Sequence, residues 1–211
     1  LKVAIISNGD IKDYDFHKNI VKKYDYIICA DGASNHAYKM GIIPNMILGD
    51  LDSINEEVKK YFMNKKVKFN TFPSKKNKTD TEICIDYALN LGAKEVVLLG
   101  VIGSRMDHSL ANINILYYLI KQGIKASIVN ENNEIHITDN EIEVTGKQGD
   151  IISIIPLYND VEGVTLKGLE YPLDNFYLKF SSSRGISNVM MGDRCKISLK
   201  KGYLLVIKSK D

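Results

Sequence analysis

Between residues 2 and 130, short and uniformly apolar runs alternate with longer segments whose apolar positions recur at helical spacing. The runs Val3 to Ser7, Tyr26 to Ala30, Met46 to Leu48, Val67 to Phe72, Val96 to Gly100 and Ala126 to Asn130 read as strands. Helical spacing covers Phe16 to Lys23, Ser34 to Met40, Ile54 to Met63, Thr79 to Leu91 and Ser109 to Gln122. Strands apolar on both faces and separated by helices belong to a parallel sheet covered on both sides. The pattern therefore predicts an α/β, mostly parallel, Rossmann-like N-terminal domain with ligands beyond the carboxyl ends of its strands.

Past residue 130 helical spacing disappears. Short β-rich segments follow, at Glu134 to Thr138, Ile142 to Thr145, Asp150 to Pro156, Gly163 to Leu166, Phe176 to Phe180, Asn188 to Met190, Arg194 to Leu199 and Tyr203 to Ile207. Frequent turn signals between them predict a C-terminal antiparallel β-sandwich or small barrel. A boundary near Asp139-Asn140 gives domains of residues 1–138 and 139–211.

Composition narrows the partners. With 211 residues, 45% hydrophobic, 26% charged and a net charge of +2, nothing calls for a nucleic-acid or membrane surface. Cys29, Cys84 and Cys195 lack C-x-x-C spacing, which argues against a disulfide framework or zinc site and fits a cytoplasmic location. No run reaches the ~18 apolar residues of a membrane helix.

The chemistry sits where the strands end. After the third strand, Gly49-Asp50-Leu51-Asp52-Ser53 carries two carboxylates at i and i+2, which on a strand share one face. Such neighbours repel unless a cation lies between them, and oxygen-only ligands suit Mg²⁺ held partly by phosphates. Ser53 and Glu56 also fit a capping box for the next helix. After the second strand, Asp31-Gly32 reads either as a turn with glycine at positive φ or as a third acid beside a backbone open to a phosphate or nucleoside. After the fourth come Lys75, Lys76 and Lys78, then Thr79, Asp80 and Glu82, where Thr79 and Glu82 again match a capping box and Lys78 is the lysine nearest the acids. After the fifth, Gly103 to His108 joins a glycine turn, Arg105, Asp107 and His108 at a helix entrance, a pattern suited to phosphate. Asn112, four residues beyond His108, shares its helical face and either braces this loop or reaches a ligand. No P-loop, G-x-G-x-x-G turn or G-x-S-x-G elbow is present.

In order and spacing, Asp31-Gly32, Gly49-Asp50-Leu51-Asp52-Ser53, Thr79-Asp80 with Glu82, and Arg105-x-Asp107-His108 with Asn112 resemble the motif series of the thiamin pyrophosphokinases. Gly168-Leu169-Glu170-Tyr171-Pro172-Leu173 and Gly185-Ile186-Ser187-Asn188 resemble that family's C-terminal thiamin-binding segments. One departure is Ser104, where the family commonly has a second glycine before the arginine. The resemblance implies transfer of the pyrophosphoryl group of ATP to the thiamin hydroxyl, giving thiamin diphosphate and AMP. It further implies Mg²⁺ on Asp50, Asp52 and Asp80, with Asp31 and Asp107 nearby, and Arg105 on the migrating group or AMP. Asp31, Gly32, Lys78, Thr79, Gly103, Arg105, His108 and Asn112 are expected on the ATP side, Ser187 and Asn188 on the thiamin side. Asp80 and Asp107 are both open as general base. A homodimer with a shared active site is implied as well. Two other readings are pyrophosphoryl transfer to a hydroxymethyl pterin and a non-catalytic nucleotide or thiamin sensor; a glycosyltransferase reading of the D-x-D pair leaves Asp80 and Arg105 unused.

Overall fold

The computed structural model describes residues 1–72 and 77–210, so Lys75 and Lys76 lie outside the described residues. It divides into two compact units, Leu1–Glu131 and Asn132–Asp211.

In the first unit the strands are β1 (Lys2–Ile6), β2 (Tyr26–Ala30), β3 (Met46–Gly49), β4 (Lys68–Thr71), β5 (Glu95–Leu99) and β6 (Lys125–Val129). The helices are α1 (Tyr14–Val21), α2 (Ser34–Met40), α3 (Glu56–Asn64), α4 (Asp80–Asn90) and α5 (Met106–Lys121). The strands pair in the order β6-β5-β1-β2-β3-β4, every neighbour parallel. Central strands are apolar throughout because helices cover both faces: Val3 to Ile6 and Val96 to Leu99 are all fully buried. Each buried Val, Ile or Leu among them stabilises the fold by about 1.5–3 kcal/mol. From β1 the chain builds outward through β2, β3 and β4, then returns through α4 to place β5 on the other flank of β1. That reversal makes a switch point between β1 and β5, where the connecting loops diverge and leave a crevice at the strand ends.

Two shifted helix starts bear on the site. Helix α5 begins at Met106, with Arg105 in the extended N-cap conformation, so Asp107 and His108 sit in its first turn rather than in the preceding loop. Helix α3 begins at Glu56 with Asn55 as an N-cap whose side chain makes no cap bond. The expected Ser53-Glu56 capping box is therefore not formed, because the turn carrying the acids runs two residues longer.

The second unit contains β7 (Asn133–Thr138), β8 (Glu141–Thr145), β9 (Ile151–Pro156), β10 (Val161–Lys167), β11 (Leu173–Leu178), β12 (Asn188–Val189), β13 (Arg194–Ser198) and β14 (Leu204–Ser209). Within it, β12-β9-β14-β7 and β11-β10-β13-β8 form two antiparallel sheets. Alternating residues of both meet in one core, with Ile152, Ile154, Leu204 and Val206 from one sheet and Val164, Leu166, Cys195 and Ile197 from the other. This is the expected sandwich. The expected division at Asp139 falls in the turn after β7, whereas the compact units divide after Glu131, since β7 pairs along its whole length with β14.

Candidate active site

The switch point of the first unit opens into a cavity of about 640 Å³. Ser7, Asn8, Gly9 and Asp10 enter it after β1, Asp31 and Gly32 after β2, and Ser53 from the turn after β3. Lys78 to Thr81 approach with the start of α4, and Gly103, Ser104, Arg105, His108 and Asn112 with β5 and α5.

Asp31, Asp50 and Asp52 bring carboxylate oxygens within 4.8 Å of one another. Their meeting depends on backbone rather than on a shared strand face. Asp50 and Asp52 lie past the end of β3, in a turn in which Leu51 has φ 65°. Asp31 itself adopts the left-handed conformation, φ 44°, not Gly32, the residue expected to do so. Its carbonyl is held by the Ser34 hydroxyl at 2.9 Å. Gly32 is needed for space: a Cβ there would stand 2.6 Å from Asn8 Nδ2 and 3.0 Å from Ser53 Cβ. The Ser53 hydroxyl donates to Asp52 Oδ1 at 2.8 Å, so its role is to orient an acid rather than to cap α3.

Asp31 is only 6% exposed, and its Oδ1 is buried without a hydrogen-bond partner among the described residues. Burial raises its pKa, opposed by the nearby Ser53 hydroxyl and Gly32 N–H, while the charges of Asp50 and Asp52 raise it further. An unpaired carboxylate oxygen is costly to bury, and two neighbouring anions add to that cost. A divalent cation accepted by all three carboxylates would remove both penalties, and an all-oxygen donor set fits Mg²⁺.

Asp80 opens α4 behind a formed capping box: Thr79 Oγ1 accepts from the Glu82 N–H at 3.2 Å, and Glu82 Oε2 accepts from the Thr79 N–H at 2.8 Å. Thr79 and Glu82 are thereby committed to the helix end, and Asp80 faces the cavity. It is not grouped with Asp31, Asp50 and Asp52. The hydroxyls of Ser7 and Thr81 meet at 2.9 Å and tie the first turn of α4 to the end of β1.

The cations are already engaged. Lys78 pairs with Asp86, which raises its pKa. Arg105 donates through Nε to Asp107 Oδ1 at 3.2 Å and through Nη2 to Oδ2 at 2.6 Å. This fork holds the Asp107 carboxyl below its usual range and raises the pKa of Arg105. Among the described residues the cavity lining includes Arg105 and His108 but not Asp107.

Of the two roles open to Asn112, the structure shows bracing: its buried amide donates to Val101 O at 2.8 Å. Ser109 Oγ adds contacts with the Gly103 N–H and carbonyl, each at 3.2 Å. Ser104 is exposed beside these anchors. The β1 end, Asn8-Gly9-Asp10, went unassigned in the sequence reading. Its signal was the one used for the other loops, polar residues immediately after an apolar run.

In the second unit a separate cavity of about 510 Å³ is lined by Tyr171, Pro172, Arg184, Ile186 and Asn188 among others. The Asn188 amide is occupied in holding Tyr171, accepting from its N–H at 3.0 Å and donating to its carbonyl at 2.8 Å. Ser187 has φ 55° and donates its N–H to Ser153 Oγ at 3.0 Å. Arg184 lies over the Phe176 ring, 4.8 Å from its centre.

Comparison with known proteins gives matches along both units. Residues 17–128 match the family model described as thiamin pyrophosphokinase, catalytic domain. Residues 132–204 match the one described as thiamin pyrophosphokinase, vitamin B1 binding domain. The thiamine pyrophosphokinase of Bacillus subtilis (strain 168) is 32% identical over 173 residues, covering 81% of each chain. Thiamine pyrophosphokinase 1 of Oryza sativa subsp. japonica is 25% identical over 197 residues, covering 81% of this chain and 74% of the relative. Among solved structures, the Bacillus subtilis thiamine pyrophosphokinase superposes with a TM-score of 0.90 at 27% identity, covering 100% of both chains. The Geobacillus thermodenitrificans thiamin pyrophosphokinase gives 0.84 at 25% identity, covering 100% of this chain and 98% of that one.

Proposed function

The chain belongs to the thiamin pyrophosphokinase family, and we propose that the β1–β5 cleft transfers the pyrophosphoryl group of ATP to thiamin through the residues described above. The reaction, an ATP:thiamin diphosphotransferase step, uses ATP as co-substrate and releases AMP. The observation that carries the site assignment is the convergence of Asp31, Asp50 and Asp52, with an oxygen of Asp31 buried and unpartnered among the described residues.

Asp50, Asp52 and Asp31 would hold Mg²⁺; of these Asp31 lines the cavity that Asp80 faces, whereas Asp50 and Asp52 are not among its lining residues. Bound there, the ion supplies charge neutralisation on the polyphosphate oxygens. In this transfer the thiamin hydroxyl oxygen attacks the β-phosphorus, the bond from that phosphorus to the α–β bridging oxygen breaks, and AMP leaves with the electron pair. Little covalent help is required of the protein; positioning and electrostatics supply most of the rate. Asp80 is the better placed of the two candidate bases, since it faces the cavity while Asp107 is engaged by Arg105. Arg105 and Lys78 bind phosphate oxygens by exchanging their own carboxylate partners for the more highly charged ligand. Thr79, Gly103, His108 and Gly32 form the wall of the ATP side, and Asn112 supports it from beneath.

Thiamin is assigned to the second-unit cavity, where Tyr171 offers a ring face for its aminopyrimidine. Asn188 acts there by fixing the Tyr171 backbone, while Ser187, expected on the thiamin side, is not among the residues that line this cavity. A homodimer is proposed on the family resemblance, and a cytoplasmic location on the three free cysteines. Among the described residues no helix is long and apolar enough to cross a membrane. Light scattering of the purified chain tests the dimer.

The deciding experiment is incubation with ATP, Mg²⁺ and thiamin followed by identification of products. Thiamin diphosphate with AMP is expected. Thiamin monophosphate with ADP, or ATP binding without turnover, would overturn the assignment.

A further inference from the structure

The loop after β1 is gripped from two sides. Gly9 donates its N–H to Gly100 O at 2.7 Å, and no side chain fits at Gly9, because a Cβ would stand 2.4 Å from that same oxygen. On the other side the Gly9 carbonyl is 3.0 Å from His36 Nε2, and His36 Nδ1 is 3.0 Å from the Tyr14 hydroxyl. A carbonyl only accepts, so Nε2 carries the proton, and in the neutral ring Nδ1 accepts from Tyr14. Burial lowers the pKa of His36, which favours this neutral form. The relay thus has one direction, Tyr14 to His36 to Gly9. None of its side chains belongs to the motifs that the proposed function uses.

Fixing that carbonyl fixes more than one oxygen. In a trans peptide the N–H of the next residue points opposite to the carbonyl, so the Asp10 N–H is turned away from His36. The β5 loop lies there: a Cβ added at Gly103 would stand 3.6 Å from Asp10 N and 3.6 Å from Asp10 Oδ2. Gly9, Asp10 and Gly103 all line the cleft. One half-buried imidazole on α2 therefore sets the orientation of a peptide on the cleft wall beside the arginine loop.

We infer that His36, oriented by Tyr14, is a positioning residue for ATP, holding the Asn8-Gly9-Asp10 wall of the cleft in its binding conformation. It touches no reacting atom and acts through the Gly9–Asp10 peptide. The inference rests on ATP occupying this cleft, as proposed above.

The test compares His36→Ala, His36→Gln and Tyr14→Phe with the unmodified chain by calorimetric titration of ATP in the presence of Mg²⁺, alongside steady-state kinetics. Gln keeps an N–H donor near the Nε2 position, so it separates the hydrogen bond from the ring. His36→Ala should weaken ATP binding and raise KM for ATP about tenfold, with KM for thiamin changing less than about twofold. His36→Gln should restore ATP binding to within about threefold of the unmodified chain, and Tyr14→Phe should shift it in the direction of Ala by a smaller factor. Unchanged ATP affinity in His36→Ala would overturn the positioning role, as would equal rises in both KM values or failure of Gln to rescue. Because the titration needs no turnover, a chain that binds ATP but forms no AMP sinks the reaction assignment and leaves this test readable.

Discussion

Asp31 occupies the space that a side chain at position 49 would need: a Cβ on Gly49 would stand 2.6 Å from Asp31 Cβ and 3.2 Å from its carboxyl carbon. The end of β3 is bare so that an acid from β2 can lie over it. Gly49→Ala should push Asp31 out of reach of Asp50 and Asp52 and cost about 1–3 kcal/mol through overpacking. AMP release should fall by about 100-fold or more. A denaturant titration and an AMP assay check the two effects separately, and full activity in the variant would dissolve the cluster's role.

Asp52 lies at the exposed end of the cluster, held by Ser53. Asp52→Asn keeps the shape and removes the charge, so AMP production should be lost by about 100-fold or more while the circular dichroism spectrum is retained. Normal turnover by the folded variant would remove the metal assignment.

Asp107 and Asp80 separate by environment. Asp107 forms an exposed fork with Arg105, its side chain 65% accessible. Solvent screens an ion pair this exposed, so Asp107→Asn should leave stability nearly unchanged. Its effect on kcat should stay within about tenfold, whereas Asp80→Asn should cost about 100-fold or more if Asp80 takes the proton. The reverse ranking in a steady-state assay would assign the base to Asp107.

In the second unit, the hydrogen bond from His136 and the nearby Lys208 hold Glu134 at about 2, down from an ordinary 4.5. A depressed folded pKa means that the contribution is present above 4.5 and lost as pH falls through about 2. Glu134 is more than a third exposed, so screening leaves about 1 kcal/mol. In urea titrations, the stability gap between the unmodified chain and Glu134→Gln should narrow from pH 5 to pH 3. A gap that widens over that range would refute the ionised pairing.

The sequence by itself determined the alternation of strands and helices, the change to a sandwich, the acids at successive strand ends and the Thr79-Glu82 cap. These are local properties: periodicity, propensity and short-range hydrogen bonds act over a few residues and so can be read from order alone. Tertiary structure decided that Asp31 joins Asp50 and Asp52 while Asp80 stands apart from that group, and that Ser53 orients an acid instead of capping a helix. It also decided that Asn112 braces Val101 and that Tyr14 and His36 grip Gly9. Those outcomes depend on left-handed residues at Asp31 and Leu51 and on glycines at 9, 32 and 49 that let one chain segment approach another. Which segment comes near is set by the strand order on either side of β1, and that order exists only once the sheet has formed.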